Sequence, residues 1–108
     1  MFVHLIADYG VNDLSFGEVV QKLNLLQPDI SVYPTSVPPF STIATGFLTA
    51  QYAIVNPLKD MMIYTNTAPR KDNKVGRDRN EGEKLVYAKL KNGVNVVGVN
   101  AGYCFSFL

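Results

Sequence analysis

The stretch His4-Leu5-Ile6-Ala7-Asp8-Tyr9-Gly10-Val11-Asn12-Asp13 constrains the fold more than any other part of the chain. An apolar run stops at an aspartate, a glycine supplies a turn, a second aspartate follows, and a helical pattern begins at once. A parallel α/β sheet presents polar groups in this way at the carboxyl end of its first strand, where such sheets bind ligands. Residues 2–7 read as a buried strand. Ser15 and Glu18 have capping-box spacing. Phe16, Val19, Val20, Leu23 and Leu26 then recur at helical spacing until Pro28 ends the helix. Residues 29–33 are short, β-branched and bounded by prolines, which predicts a second strand and completes a right-handed βαβ unit.

Residues 34–40 read as a stiff, proline-rich connection. Ser41 or Thr42 can cap a second helix whose apolar face is Ile43, Phe47, Ala50 and Ile54, with Pro57 beyond it. Gly46 inside that helix costs up to about 1 kcal/mol against alanine, so a close packing contact is expected there. Residues 60–65 form a third strand, and residues 83–90 and 94–99 form a hairpin about Asn92-Gly93. Residues 66–82 are irregular and crowded with charge, as a solvated loop or a lid would be. The apolar terminal segment 103–108 must be buried, as a last strand or against another chain. The expected fold is a single α/β domain over residues 1–108, a mostly parallel sheet with helices on both faces and an added antiparallel hairpin.

Composition narrows the function. A net charge of +1 gives no pull towards nucleic acid or a membrane surface. One cysteine excludes an internal disulfide and fits a reducing compartment, and with one histidine it argues against a metal site. No stretch has the pattern of a signal peptide or the length of a membrane span, so a cytoplasmic protein is expected. His4 sits in an apolar strand and reads as a packed or edge residue. A phosphate-binding loop over residues 70–79 is a weaker reading, because no glycine-rich cradle accompanies the arginines.

Three stretches in order resemble one family. They are Ala7-Asp8-Tyr9-Gly10 with Asp13-Leu14-Ser15-Phe16-Gly17, then Val37-Pro38-Pro39-Phe40-Ser41, and finally Val96-Val97-Gly98-Val99-Asn100-Ala101-Gly102 with Ser106. Together they resemble the N-terminal domain of the S-adenosylmethionine hydroxide adenosyltransferases, relatives of the fluorinases and chlorinases. The resemblance implies that Asp8 binds ribose hydroxyls and Asp13 lies near the substrate. It implies ligand contacts from Tyr9, Gly10, Phe40, Ser41 and Asn100 as well. S-adenosylmethionine or adenosine would be the ligand, with no further cofactor. Asn66 stands nearest to a family aspartate that handles the attacking water, and Arg70 takes the place of the family arginine. An amide cannot serve as a general base at neutral pH. Family members also carry a C-terminal β-barrel domain and assemble as trimers with sites between subunits. The expectation is therefore a divergent nucleoside-binding protein, incomplete or inactive alone, that relies on self-association or on a separate barrel-domain chain. The alternative is a non-catalytic assembly module that keeps the fold without the chemistry.

Overall fold

A computed structural model describes residues 1–68 and 84–108. The elements run β1 (Phe2–Ala7), α1 (Leu14–Leu26), β2 (Ser31–Ser36), α2 (Thr42–Ala50), β3 (Met61–Asn66), β4 (Leu85–Lys89) and β5 (Asn95–Val99). The strand order is β2-β1-β3-β5-β4. Every neighbouring pair is parallel except β4 with β5. The α/β class, the parallel core and the hairpin at one side agree with the sequence. Leu5 and Ala7 pack against Phe16, Val19 and Val20 of α1, while Ile6, Met61, Ile63 and Val96 pack against Ala44, Leu48 and Tyr52 on the α2 side. Successive strand residues face opposite ways, so the two helices cover opposite faces of the sheet.

Four local expectations are corrected. First, β2 runs on through Pro34 to Ser36, where a proline-rich connection was expected. The backbone explains the tolerance. Ser31 N–H donates to Met1 O at 3.0 Å and Val37 N–H to Ala7 O at 2.9 Å, so the odd-numbered residues turn their amides towards β1. Even-numbered Pro34 lies on the free edge, where its missing N–H costs no ladder bond. Second, α1 is capped by Asp13, whose Oδ1 accepts from Ser15 N–H at 2.8 Å, and not by Ser15. Leu26, expected on the buried face, is exposed. Third, residues 102–107 form consecutive turns, not a strand. They return over α2, where a Cβ on Gly46 would stand 2.2 Å from the Tyr103 carbonyl oxygen. That is the close contact the helix glycine implied.

The fourth correction is the largest. The predicted apolar face of α2 points outward: Ile43, Phe47 and Ile54 are 57%, 59% and 47% exposed. Threonine and glycine form the buried face, with Thr42, Thr45, Gly46 and Thr49. These hydroxyls are not left bare. Thr45 Oγ1 donates to Ser41 O at 3.1 Å and meets Thr67 Oγ1 at 2.6 Å, and Thr49 Oγ1 donates to Thr45 O at 2.7 Å. A threonine that bonds back onto its own helix presents mostly its methyl group to its surroundings. One π-helical turn, Gln51–Val55, follows α2 and brings Ala53 into the core.

His4 is buried on the α2 side, stacked on Tyr52 with ring centroids 3.7 Å apart and flanked edge-on by Phe2 and Tyr33. Burial holds its pKa below the ordinary 6.5. Because the unfolded chain takes up this proton more readily than the folded one, His4 favours the fold fully above pH 6.5. That contribution is lost as the pH falls from 6.5 through the lower folded value. Urea melts at about pH 7.5 and about pH 5 are expected to show lower stability in acid, and His4→Phe is expected to reduce the difference. An unchanged difference in His4→Phe would remove the histidine as its cause.

Candidate functional site

Parallel pairing brings the carboxyl ends of β1, β2, β3 and β5 to one edge of the sheet, and with them Asp8, Ser36, Asn66 and Asn100. The chain leaves β1 towards the α1 face and leaves β2 towards the α2 face. Where adjacent connections part in this way a crevice opens, and ligands of α/β sheets sit in such crevices. A cavity of about 380 Å³ opens there, lined by Asp8, Tyr9, Gly10, Val11 and Ser36 and by Val37, Pro38 and Pro39.

Asp8 is fixed at the rim. Its Oδ2 accepts from Phe40 N–H and from Ala68 N–H, each at 3.1 Å. The carboxylate thus ties the end of β1 to the segments that follow β2 and β3. Phe40 adopts φ 61°, an uncommon conformation for a bulky side chain, and this turns its amide towards Asp8. Among the described residues both hydrogen bonds to this carboxylate fall on Oδ2. Tyr9 forms the floor. Its ring meets Phe16 edge-on at 4.9 Å, its hydroxyl accepts from Asn66 Nδ2 at 2.8 Å, and its carbonyl accepts from Ser36 Oγ. With Nδ2 committed to Tyr9, Asn66 keeps its carbonyl oxygen as an acceptor and has no group that takes a proton at neutral pH.

The other expected site residues stand differently. Gly10 lines the cavity. Asp13 is fully exposed, and its pKa is lowered chiefly by the Ser15 backbone N–H, as expected of a helix cap. Ser41 caps α2, accepting from Ala44 N–H at 3.3 Å. Phe40 reaches the site through its backbone and is not among the lining residues. Asn100 is exposed at the end of β5, its N–H donating to Lys84 O at 2.8 Å. Arg70, Arg77 and the rest of the charged stretch lie outside the described residues.

Some participants escape sequence reasoning. Ser36 and Ala68 enter through chain pairing, and Ser36 is hidden by a proline that reads as a strand breaker. Cys104 is buried, and its thiol is pushed up to about 11, chiefly by burial, with the nearby Asp8 charge adding to the rise. It is therefore a neutral thiol at neutral pH, poorly suited to nucleophilic attack. Among the described residues no group of three histidine, cysteine, aspartate or glutamate side chains could hold a metal ion. Nor is any helix among them long and apolar enough to cross a membrane.

No family model and no curated protein matches the chain. It is similar in fold to a solved structure. That structure, a conserved hypothetical protein from Thermus thermophilus, aligns with TM-score 0.62 and 19% sequence identity over 97% of this chain. The alignment takes in 40% of the other protein, so this chain spans about two-fifths of its length. At that identity the likeness shows the fold alone.

Proposed function

We propose that the chain binds a nucleoside or adenosyl ligand, with the ribose diol at Asp8, and that alone it does not hydrolyse S-adenosylmethionine. The observation that carries this reading is Asp8, tethered at a cavity rim by two backbone amides through one oxygen. A carboxylate held in this way accepts hydrogen bonds from hydroxyls without first having to be ordered, and charge-assisted bonds are the stronger kind. The family resemblance supports the choice of diol.

Hydrolysis would form a bond from water oxygen to the ribose 5′ carbon and break the carbon–sulfur bond. The sulfonium charge would be neutralised as methionine leaves, and the water would give up a proton. Asn66 offers orientation without proton acceptance, and a general base typically contributes about 10²–10⁴-fold. Open to one side, the cavity also leaves solvent in contact with the ligand. A second copy or a barrel-domain chain would complete the site, most simply in a homotrimer, and the cytoplasm suits the free Cys104.

Calorimetry is expected to show binding of adenosine and S-adenosylmethionine and clearly weaker binding of 2′,3′-dideoxyadenosine. Equal affinity for the dideoxy compound would remove the diol from the reading. Chromatography after incubation with S-adenosylmethionine is expected to show no adenosine above the no-protein control. Turnover that disappears in Asp8→Ala would make the chain an enzyme. The second reading, a non-catalytic assembly module, is favoured by the outward stripe of Ile43 and Phe47 on α2 and Ile54 on the π-helical turn, an apolar face of the kind found at interfaces. Absence of ligand heat together with a trimer by light scattering would favour it over the first.

A further inference from the structure

Among the described residues β4 ends the sheet, at the opposite side of the strand order from β2. Its pairing with β5 runs without a bulge from Leu85 opposite Val99 to Lys89 opposite Asn95. Asn100 N–H donates to Lys84 O at 2.8 Å and Leu90 N–H to Val94 O at 2.9 Å, so even-numbered residues turn their backbone groups to β5. That direction alternates along an antiparallel strand, and Leu85, Tyr87 and Lys89 therefore present their N–H and C=O groups outward. We propose that this edge pairs with a second copy of the chain, antiparallel and two-fold about Tyr87, and joins two five-stranded sheets into one.

Register selects the second copy. A two-fold axis at Tyr87 sets this residue against its own counterpart and Leu85 against the second copy's Lys89, and every outward N–H meets an outward C=O. A foreign strand would have to bring a matching register; this one matches itself. The edge is also undefended. Natural sheets blunt their edges with prolines, bulges and charges. Pro34 does this for β2, whereas β4 has only Lys89, at its end. Leu85 and Tyr87 are 67% and 64% exposed on the face they share with Lys89, whose aliphatic stem would lie over the second copy's Leu85. The strand is held ready for pairing. Ala88 and Leu90 pack on the core, Asn92 Nδ2 donates to Ala53 O at 2.7 Å, and the Tyr87 hydroxyl ties its ring to β5 by donating to Asn95 Oδ1 at 2.7 Å. A strand of five residues buries less surface than a permanent dimer needs, so the association is weak and depends on concentration. A two-fold contact cannot close a three-membered ring, and β5 and β3 separate β4 from β1. The contact is therefore distinct from any that completes the Asp8 site.

Light scattering on the full chain between about 10 µM and about 1 mM is expected to show the mass rising with concentration. Over the same range hydrogen exchange is expected to slow at the Leu85, Tyr87 and Lys89 amides. The Val86 and Ala88 amides, already turned to β5, are expected to stay slow throughout. Exposed Leu85 supplies a test of sign. Leu85→Glu sets a carboxylate against the second copy's Lys89 at both ends of the pair and is expected to tighten association about fivefold. Leu85→Lys sets like charges there and is expected to weaken it about as much. Melting curves check that both variants keep the fold. An apolar contact elsewhere on the molecule would leave the two variants alike. A chain that stays monomeric throughout leaves the edge to a foreign strand and overturns the pairing. Outward amides that exchange at one rate across the range, or Leu85 variants that shift association in the same direction, overturn it too.

Discussion

Asp8→Ala is expected to lower the stability of the fold by about 3 kcal/mol and to weaken adenosine binding by about 10–100-fold. The two effects have different origins. The substitution removes the one acceptor that the Phe40 and Ala68 amides share. Hydrogen bonds to a charged group contribute about 1.5–3 kcal/mol each, and the half-buried position of Asp8 argues for the lower end for both. Loss of the ligand contact costs a similar single increment, which is the stated change in affinity. Denaturant melts and calorimetry separate them. Asp8→Asn keeps a carbonyl oxygen that can turn to either amide, and is expected to recover part of the stability. If it recovered ligand affinity fully as well, the charge would not matter to binding. An Asp8→Ala protein with wild-type stability would mean that the carboxylate does not tie the loops together.

Gly46→Ala is expected to destabilise the protein by about 2 kcal/mol, against the usual benefit of alanine in a helix. Helix propensity favours alanine by up to about 1 kcal/mol, but the new Cβ would stand 2.2 Å from the Tyr103 carbonyl oxygen and 3.0 Å from the Phe107 ring. Ring atoms can swing aside. The carbonyl belongs to a turn held by the bond from Ser106 N–H to Tyr103 O at 3.0 Å, so the whole segment must lift. Overpacking of this kind typically costs about 1–3 kcal/mol. Hydrogen exchange at Cys104 and Ser106 is expected to accelerate in the variant before the sheet amides change. A stabilised variant would show that the terminal segment rests only loosely on α2.

The sheet was legible because apolar runs ending in polar residues carry their own boundaries, as at Ala7-Asp8. What the sequence concealed was direction. The Ile43, Phe47 and Ile54 periodicity is real, yet it describes the outside of α2, because Thr45 and Thr49 satisfy their own hydroxyls and bury instead. A hydropathy pattern cannot record a hydrogen bond that a side chain makes to its own helix. Pro34 reads as a breaker because its place on an edge follows only from strand order, a property of the whole chain. The candidate site divides in the same way. Asp8, Tyr9 and Gly10 are contiguous and stand out together. Ser36 and Ala68 join them through pairing over long separations. Asp13 and Ser41 are special in the sequence, and helix capping is the use the fold makes of them.

The covering of Gly46 and Thr42 by residues 102–107 bears on the order of assembly during synthesis. Every residue that lines the Asp8 cavity lies within the first 39 positions, and Asn66 closes β3. Three adjacent strands and both helices therefore emerge from a ribosome as an uninterrupted block, able to pair before the hairpin exists. The exception is the bare backbone at Gly46, which waits for residues 102–107 to arrive. A nascent chain released before that point would hold its cavity-lining residues and β-strands but carry an unsealed helix. Loss of residues 102–107 is then felt first at Thr42 and Gly46 of α2, far earlier in the chain than the missing residues themselves.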